Sequence, residues 1–430
     1  MKVKVVGGGL AGCEAAYHLL KAGMAVDMYE MRPYKNTPAH STAGLAELVC
    51  SNSLKSTTED SAQGVLKFEM RTLDSLVLKV AEETSVPAGA ALAVDRALFS
   101  SAIETKLNTF SKFSLHRSEV DTIEPYSIIA TGPLTSDAMT SSILKFTGTG
   151  NLSFYDAAAP IIEFASVDMT KAFYGARYNK GDADYLNCPM SKEEYDLFYN
   201  ALINAERVKL KDFEKGDLFE GCMPIEIMAS RGYDAMRFGP LRPVGLSNSL
   251  DKRPFAVVQL RKEDKAGNLY NIVGFQTNLT FPAQRSVFAH IPALANAEYA
   301  RYGVMHRNTY LNAPNVLNYG IQAKTNPHVF FAGQITGVEG YMESALSGIL
   351  SAINMIRLLK GHELVTPPID TLSGALCEYL SNPTTNFQPM RVSFGLLPEI
   401  EVKHKAARKL AYATRARESI LKFASSIAGI

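Results

Sequence analysis

Residues 2–31, KVKVVGGGLAGCEAAYHLLKAGMAVDMYEM, constrain the fold more than any other stretch of this chain. Val3 to Val6 reads as a short β-branched strand, Leu10 to about Ala22 as a helix, and Ala25 to Tyr29 as a second strand ending at Glu30. Gly7, Gly9 and Gly12 between strand and helix are spaced G-x-G-x-x-G. In such a unit the first glycine makes the tight turn, the second lets the backbone approach a pyrophosphate, and the third lets helix and strand pack closely. The helix N-terminus then offers free N–H groups and the positive end of its dipole to the phosphates. The run Gly7, Gly8, Gly9, Leu10, Ala11, Gly12 is therefore the expected dinucleotide cradle, and Glu30 is placed to accept hydrogen bonds from a ribose diol. This element does not separate FAD from NAD.

A chain of 430 residues has room for two or three domains. Five cysteines, with no C-x-x-C pair, argue against a disulfide framework or a zinc site and fit a reducing cytoplasm. Met1 runs straight into the βαβ unit, so no signal peptide is expected, and no stretch of about 18 charge-free apolar residues predicts a membrane span.

Apolar positions Leu66, Met70, Leu73, Val77 and Val80 recur at steps of 4, 3, 4 and 3, which predicts an amphipathic helix within 61–85. Phe99, Ile103, Leu107 and Phe110 predict another, and Tyr126 to Ala130 a buried strand of the same parallel sheet. From about 151 the texture changes, and Ala256–Leu260 and Tyr270–Phe275 read as strands of a mixed α/β insertion. Near 328 the βα alternation returns: His328 to Ala332 is a strand, Gly333 and Gln334 a turn, and Met342 to Leu359 a helix. A strand–loop–helix of this kind near the carboxyl end, paired with an N-terminal G-x-G-x-x-G, resembles flavoproteins in which it brings a helix N-terminus toward the flavin ring. The expected fold class is therefore α/β, an FAD-binding dinucleotide fold with a parallel sheet, built from 1–150 and 325–430, around a mixed α/β insertion at 151–324. There is no second G-x-G-x-x-G between a strand and a helix, and so no separate NADPH domain.

Among reactive side chains, Cys50 in AELVCSNS and Cys222 in FEGCMPIE lie in loops with polar or glycine neighbours, where a thiolate can be accessible. Cys13 and Cys377 read as buried packing. From Val402 to Phe423, Lys403, Lys405, Arg408, Lys409, Arg415, Arg417 and Lys422 face only Glu418, and one helix of this charge can track phosphates or form a solvated face. Arg237-Phe238, Arg301-Tyr302 and His306-Arg307 pair basic with aromatic side chains, a combination that suits splayed single-stranded bases and is also common in ordinary surfaces.

The blocks EMRPYKNTPAH, AELVCSNSLK, VPAGAALAVDR, IIATGPLTS, FEGCMPIE, GFQTNL and FFAGQITGVEGYMESALSG together resemble the folate- and FAD-dependent tRNA (uracil-5-)-methyltransferases, collinearly from residue 2 to about 360. The resemblance implies FAD as cofactor, held by the glycine run with Glu30, Arg32, Gly333 and Gln334. It also implies 5,10-methylenetetrahydrofolate as one-carbon donor and NADH or NADPH as reductant. Reduced FAD carries the one-carbon unit and supplies reducing equivalents. A cysteine thiolate adds to C6 of the uracil, C5 captures the methylene, a base removes the C5 proton, and hydride completes the methyl group. Cys222 and Cys50 match the family cysteines, and either could be the nucleophile. Glu343 is the proton acceptor and Glu339 its competitor, although an acid there can instead cap the following helix. The implied partner is tRNA, at uridine 54 of the T-loop. A uridine of large-subunit (23S) ribosomal RNA is the alternative target, and a small-molecule flavoprotein oxidoreductase the alternative class. Gly8, Cys13 and the segment Lys55 to Gln63 depart from the family pattern. The larger relatives that modify wobble uridines carry a C-terminal helical domain for which 430 residues leave no room. Oligomeric state is not legible.

Overall fold

A computed structural model describes residues 1–148, 152–179, 182–208, 223–246, 253–384 and 387–428. The opening unit forms as its residues dictate. Strand β1 (Lys2–Val6) buries Val3, Val5 and Val6, helix α1 (Leu10–Lys21) follows, and strand β2 (Ala25–Tyr29) pairs with β1 in parallel. The full sheet is parallel, in the order Val329–Phe331, Ser127–Ile129, β1, β2, Phe113–His116. The order reverses at β1, and α/β sheets bind ligands at the carboxyl ends of the strands beside such a reversal.

The Tyr341–Leu359 helix returns across α1. It is long and apolar enough to cross a membrane by composition, yet it carries Glu343 and Arg357 and is mostly buried inside the protein. The closeness of the two helices rests on Gly348, where a Cβ would lie 2.1 Å from the Ala11 carbonyl oxygen. Val3, Leu19, Ile128, Phe330, Leu346 and Ile420 belong to one continuous core, so the C-terminal Lys405–Ile427 helix packs with the N-terminal unit.

The helix expected within 61–85 is two helices, Ala62–Thr72 and Leu76–Glu83, broken at Asp74, whose φ is +67°. The apolar spacing runs through the break, but the backbone does not. Ser75 caps the second helix at Leu78 N, and the buried Glu14 carboxylate of α1 accepts from the Leu76 and Val77 amides at 3.0 and 2.9 Å and from the Ser75 hydroxyl. Three donors on one buried carboxylate supply what a continuous helix would have had to give up there.

The chain enters its middle segment through Leu152–Ala157 and leaves through Met305–Tyr310, and these strands pair antiparallel over six residues. Between them lies a second core, with Ile162, Leu186, Phe198, Val258, Ile272 and Phe288, on a six-stranded sheet. Its order is Phe173–Tyr174, Tyr185–Met190, Ala256–Lys262, Leu269–Ile272, Ile161–Glu163, Tyr299–Arg301, and every pairing is antiparallel. The strand expected over Tyr270–Phe275 stops at Ile272, ahead of a turn at Gly274 with φ +80°.

Candidate active site

The glycine run shapes one end of a deep cleft. Gly7 has φ +108°, and a Cβ there would meet the Ala130 carbonyl at 2.3 Å, so only glycine fits. A Cβ on Gly12 would lie 1.9 Å from the Gly7 carbonyl oxygen, which is the close packing of helix on turn. Gly9 differs: a Cβ would meet nothing within 4 Å, because this residue faces open space. Gly9 is also the N-cap of α1 and offers no side-chain cap, so the first-turn amides remain available to a ligand. Gly7, Gly8, Gly9, Leu10 and Ala11 all line the cleft, as do Glu30, Arg32, Gly333 and Gln334; Gly12 supports it from behind. An elongated anionic ligand fits a cleft that begins at an uncapped helix end and is open where a side chain would block it.

Glu30 is already engaged. Its Oε1 accepts from the Arg32 backbone N–H at 3.0 Å and from Arg32 Nε at 2.9 Å, and its Oε2 from Gly8 N at 3.0 Å and Arg32 Nη2 at 3.1 Å. These contacts fill the roughly four acceptor positions of a carboxylate. Burial works to raise the Glu30 pKa, but the Arg32 guanidinium and the two amides outweigh it and hold the carboxyl below its usual range. The buried Arg32 also bridges to Glu47 at 2.8 Å and to Thr42 O at 3.1 Å. A ribose hydroxyl reaching Glu30 therefore takes the place of one Arg32 contact.

The cleft is also lined by Val49 and Tyr341. Gly333, with φ +83°, donates its N–H to Ser347 Oγ at 2.6 Å, and Gln334 Nε2 donates to Glu339 at 2.5 Å. The Tyr341 hydroxyl lies 3.0 Å from Cys50 Sγ, accepts from Cys50 N at 3.0 Å and lies 3.3 Å from Ser51 N. With its lone pairs facing two amides, the phenol directs its proton at the sulfur. Burial, and then the neighbouring Cys50, push the Tyr341 pKa well above 10, so the phenol keeps that proton. Arg96 lies nearby, bonded to Leu48 O at 2.6 Å and Glu263 at 2.7 Å; burial opposes its charge, and Glu263, Tyr341 and Cys50 sustain it.

The loop carrying Cys50 is clamped from both sides. Asn52 Nδ2 donates to Val94 O at 3.0 Å and to Lys262 O at 2.9 Å, while Arg261 donates to Asn52 Oδ1 at 3.0 Å and Ser51 Oγ at 2.8 Å. The half-buried Cys50 thus sits where the nucleotide-fold core meets the middle sheet. Burial raises the pKa of Cys13, and it pushes those of Cys188 and Cys377 up to about 12, so these three are inert packing thiols. Cys222 lies outside the described residues; Ile225, just beyond it, is held by Gln276 O at 2.7 Å.

Glu343 occupies the first turn of the Tyr341–Leu359 helix, and its Oε1 accepts from Gln63 Nε2 at 2.7 Å and Val392 N at 3.1 Å. Burial raises its pKa. Neither Glu343 nor Glu339 is among the residues lining the cleft. Of the basic helix, Arg415 is tied to Pro398 O and Arg417 to Glu59, whereas Arg408 and Lys409 are exposed. Arg301 donates to Ala39 O at 2.7 Å, and Tyr302 stacks on Phe281 and Tyr299; the side chains of His306 and Arg307 lie outside the described residues. Tyr341 and Arg96 are the site residues that sequence inspection passes over. The 291 positions between Cys50 and Tyr341 leave no local signal.

Comparison with known proteins agrees with this geometry. The family profile described as glucose inhibited division protein A matches residues 2–363. The methylenetetrahydrofolate–tRNA-(uracil-5-)-methyltransferase TrmFO of Natranaerobius thermophilus is 52% identical over 428 residues, covering 98% of this chain and 99% of its own. The protein of the same name from Listeria monocytogenes is 54% identical over 430 residues, covering 99% of each chain. In solved structures, GidA of Aquifex aeolicus superposes with a TM-score of 0.72 at 15% identity, over 99% of this chain and 73% of its own, which establishes the shared fold. The chain belongs to the glucose inhibited division protein A family and, within its near full-length relatives, to the methylenetetrahydrofolate–tRNA-(uracil-5-)-methyltransferases.

Proposed function

We propose that this enzyme methylates C5 of a uridine in tRNA, with methylenetetrahydrofolate as one-carbon donor and FAD in the cleft. The observation that carries this is the cleft itself, which is lined by the uncapped N-terminus of α1 and by Tyr341, the residue bonded to Cys50, in a chain that matches enzymes of this name end to end. FAD, when bound, supplies the reducing equivalents for the methyl group.

The chain's own groups do the rest. The α1 amides and the glycine run hold the pyrophosphate, and the Glu30–Arg32 pair orients the ribose. Tyr341 directs its proton at Cys50 Sγ, and Arg96 stands nearby, an arrangement that favours negative charge on sulfur. A thiolate adding to uracil C6 makes C5 a carbon nucleophile, and the same bond breaks again once C5 has gained its carbon and lost its proton. Cys50 and Cys222 are the two nucleophile candidates. Glu343, a buried carboxyl with a raised pKa that accepts from Gln63 Nε2, is the proposed proton acceptor, although it does not line the cleft.

In finer detail we assign uridine 54 of the T-loop as target, NADH or NADPH as reductant, a cytoplasmic location, and residues 1–150 with 325–430 as the FAD-binding part around 151–324. Position-resolved analysis of 5-methyluridine in RNA from cells lacking this protein tests the assignment. Loss at tRNA position 54 is expected. Loss only in large-subunit ribosomal RNA moves the target there, and unchanged RNA overturns the function.

A further inference from the structure

The middle sheet carries a second concavity, away from the cleft, lined among others by Lys171, Lys192, Arg237, Phe238, Arg242 and Arg253. Three of these cations are spoken for. Lys171 pairs with Asp168 at 3.3 Å, Lys192 with Asp196 at 2.8 Å, and Arg237 with Asp234 while it lies 3.6 Å over the Phe255 ring. Arg242 and Arg253 are exposed and pair with no acid among the described residues.

Beside them the half-buried Arg177 donates to the Arg242 and Val244 carbonyls at 2.7 and 2.9 Å. Burial and then the Arg242 charge lower the Arg177 pKa, so like charges are held together here. On the rim, Phe238 is 84% exposed. A bare aromatic ring next to guanidinium groups that no described acid neutralises is costly to leave in water and fits a base stacked between phosphates.

One strand joins the concavity to the Cys50 loop. The strand Ala256–Lys262 starts beside it, after Arg253 and Phe255, and ends on the Cys50 loop through Arg261, Lys262 and Asn52. Six strand rises from Phe255 to Arg261 span about 20 Å. We propose that this concavity is a second RNA-docking site, in which Phe238 stacks on an unpaired base of the substrate RNA and Arg242 and Arg253 hold its flanking phosphates, about 20 Å from the Cys50 loop. It rests on the RNA substrate proposed above and adds the surface that grips the RNA outside the active site.

The test uses full-length FAD-loaded protein with Phe238→Ala and with the pair Arg242→Gln and Arg253→Gln. The readouts are affinity for unmodified full-length tRNA across a salt series, FAD content, and KM for methylenetetrahydrofolate. The double variant is expected to flatten the slope of log affinity against log salt by about 1.4 to 1.8, the value for two lost phosphate contacts. Phe238→Ala is expected to weaken binding roughly tenfold with the slope unchanged, as for one lost stacked base. FAD content and folate KM stay at wild type in both. Wild-type affinity and slope in both variants overturn the proposal. A raised folate KM with unchanged RNA binding also overturns it and assigns the cations to an anionic folate tail. If wild-type protein makes no 5-methyluridine, the functional assignment fails instead, separately from this surface.

Discussion

Replacing Gly348 by alanine tests the packing on which the cofactor cleft depends. Two effects oppose each other. Alanine is about 0.8–1.0 kcal/mol better than glycine inside a helix, which favours the variant. Against that, the new Cβ would lie 2.1 Å from the Ala11 carbonyl oxygen and 2.8 Å from its carbon, where 3.0 Å is the practical limit. The obstacle is backbone, so no rotamer relieves it, and the Tyr341–Leu359 helix must retreat from α1 by the missing 0.9 Å (3.0 less 2.1). Overpacking of this kind costs about 1–3 kcal/mol or more, and a gap of that width forfeits a quarter to a half of the dispersion between the facing side chains. A net loss of about 2 kcal/mol follows, or a fall of about 2 °C in melting temperature for a chain of this size. Ala11 also lines the cleft, and its Cβ lies against Gly333, so the displacement reaches the cofactor. Losing one hydrogen bond to the pyrophosphate weakens FAD about tenfold. Thermal melts with and without added FAD, together with flavin titration, measure both. A variant that melts at or above wild type and retains FAD equally would show that helix propensity wins and that the two helices are not in limiting contact.

Four further outcomes follow. Cys50→Ala and Cys222→Ala should each keep FAD absorbance, and at least one should abolish 5-methyluridine formation; full methylation by both would discard the thiolate. Tyr341→Phe leaves the Cys50 and Ser51 amides without their acceptor, so it should slow alkylation of Cys50 at neutral pH and lower stability by about 1–3 kcal/mol. An unaltered alkylation rate would separate the phenol from the sulfur. Neutralising Arg408 and Lys409 to glutamine should weaken RNA binding and flatten its salt dependence, and no change would remove the C-terminal helix from the RNA surface. Lys67, 2% exposed, has its pKa lowered to about 8 by burial, with Glu343 opposing and Arg71 and Lys55 assisting. Between about pH 8 and 10.5 the unfolded chain holds this proton more tightly than the folded one, so stability rises with pH there by up to about 3 kcal/mol. Urea midpoints for wild type and Lys67→Met should diverge over that window in favour of wild type; parallel curves refute it.

Much of the fold was legible because its signals are local. The β1–α1–β2 unit, the strand at Ser127–Ile129 and the strand–turn–helix from Val329 to Leu359 follow from alternation, glycine position and apolar period, which short segments carry by themselves. The break at Asp74 did not announce itself, since the apolar steps continue through it and the deciding partner, Glu14, lies 61 positions from Ser75. Glu30 shows the same division. Its place at the end of β2 marks a ribose acceptor, while its engagement by Gly8 and Arg32 depends on how a buried arginine folds back.

The sequence by itself determined the nucleotide fold, the glycine cradle and the cysteines worth watching, because residue type and spacing set backbone freedom and thiol chemistry. Only the tertiary structure decided which groups act on them. It set Tyr341 against Cys50, locked the Cys50 loop to Arg261 and placed Phe238 beside Arg242 and Arg253. It also buried Cys13, Cys188 and Cys377 beyond reactivity. Those pairings join residues far apart in the chain. They arise when two hydrophobic cores close around a shared loop, and contact across such a distance depends on packing rather than on any pattern within a segment.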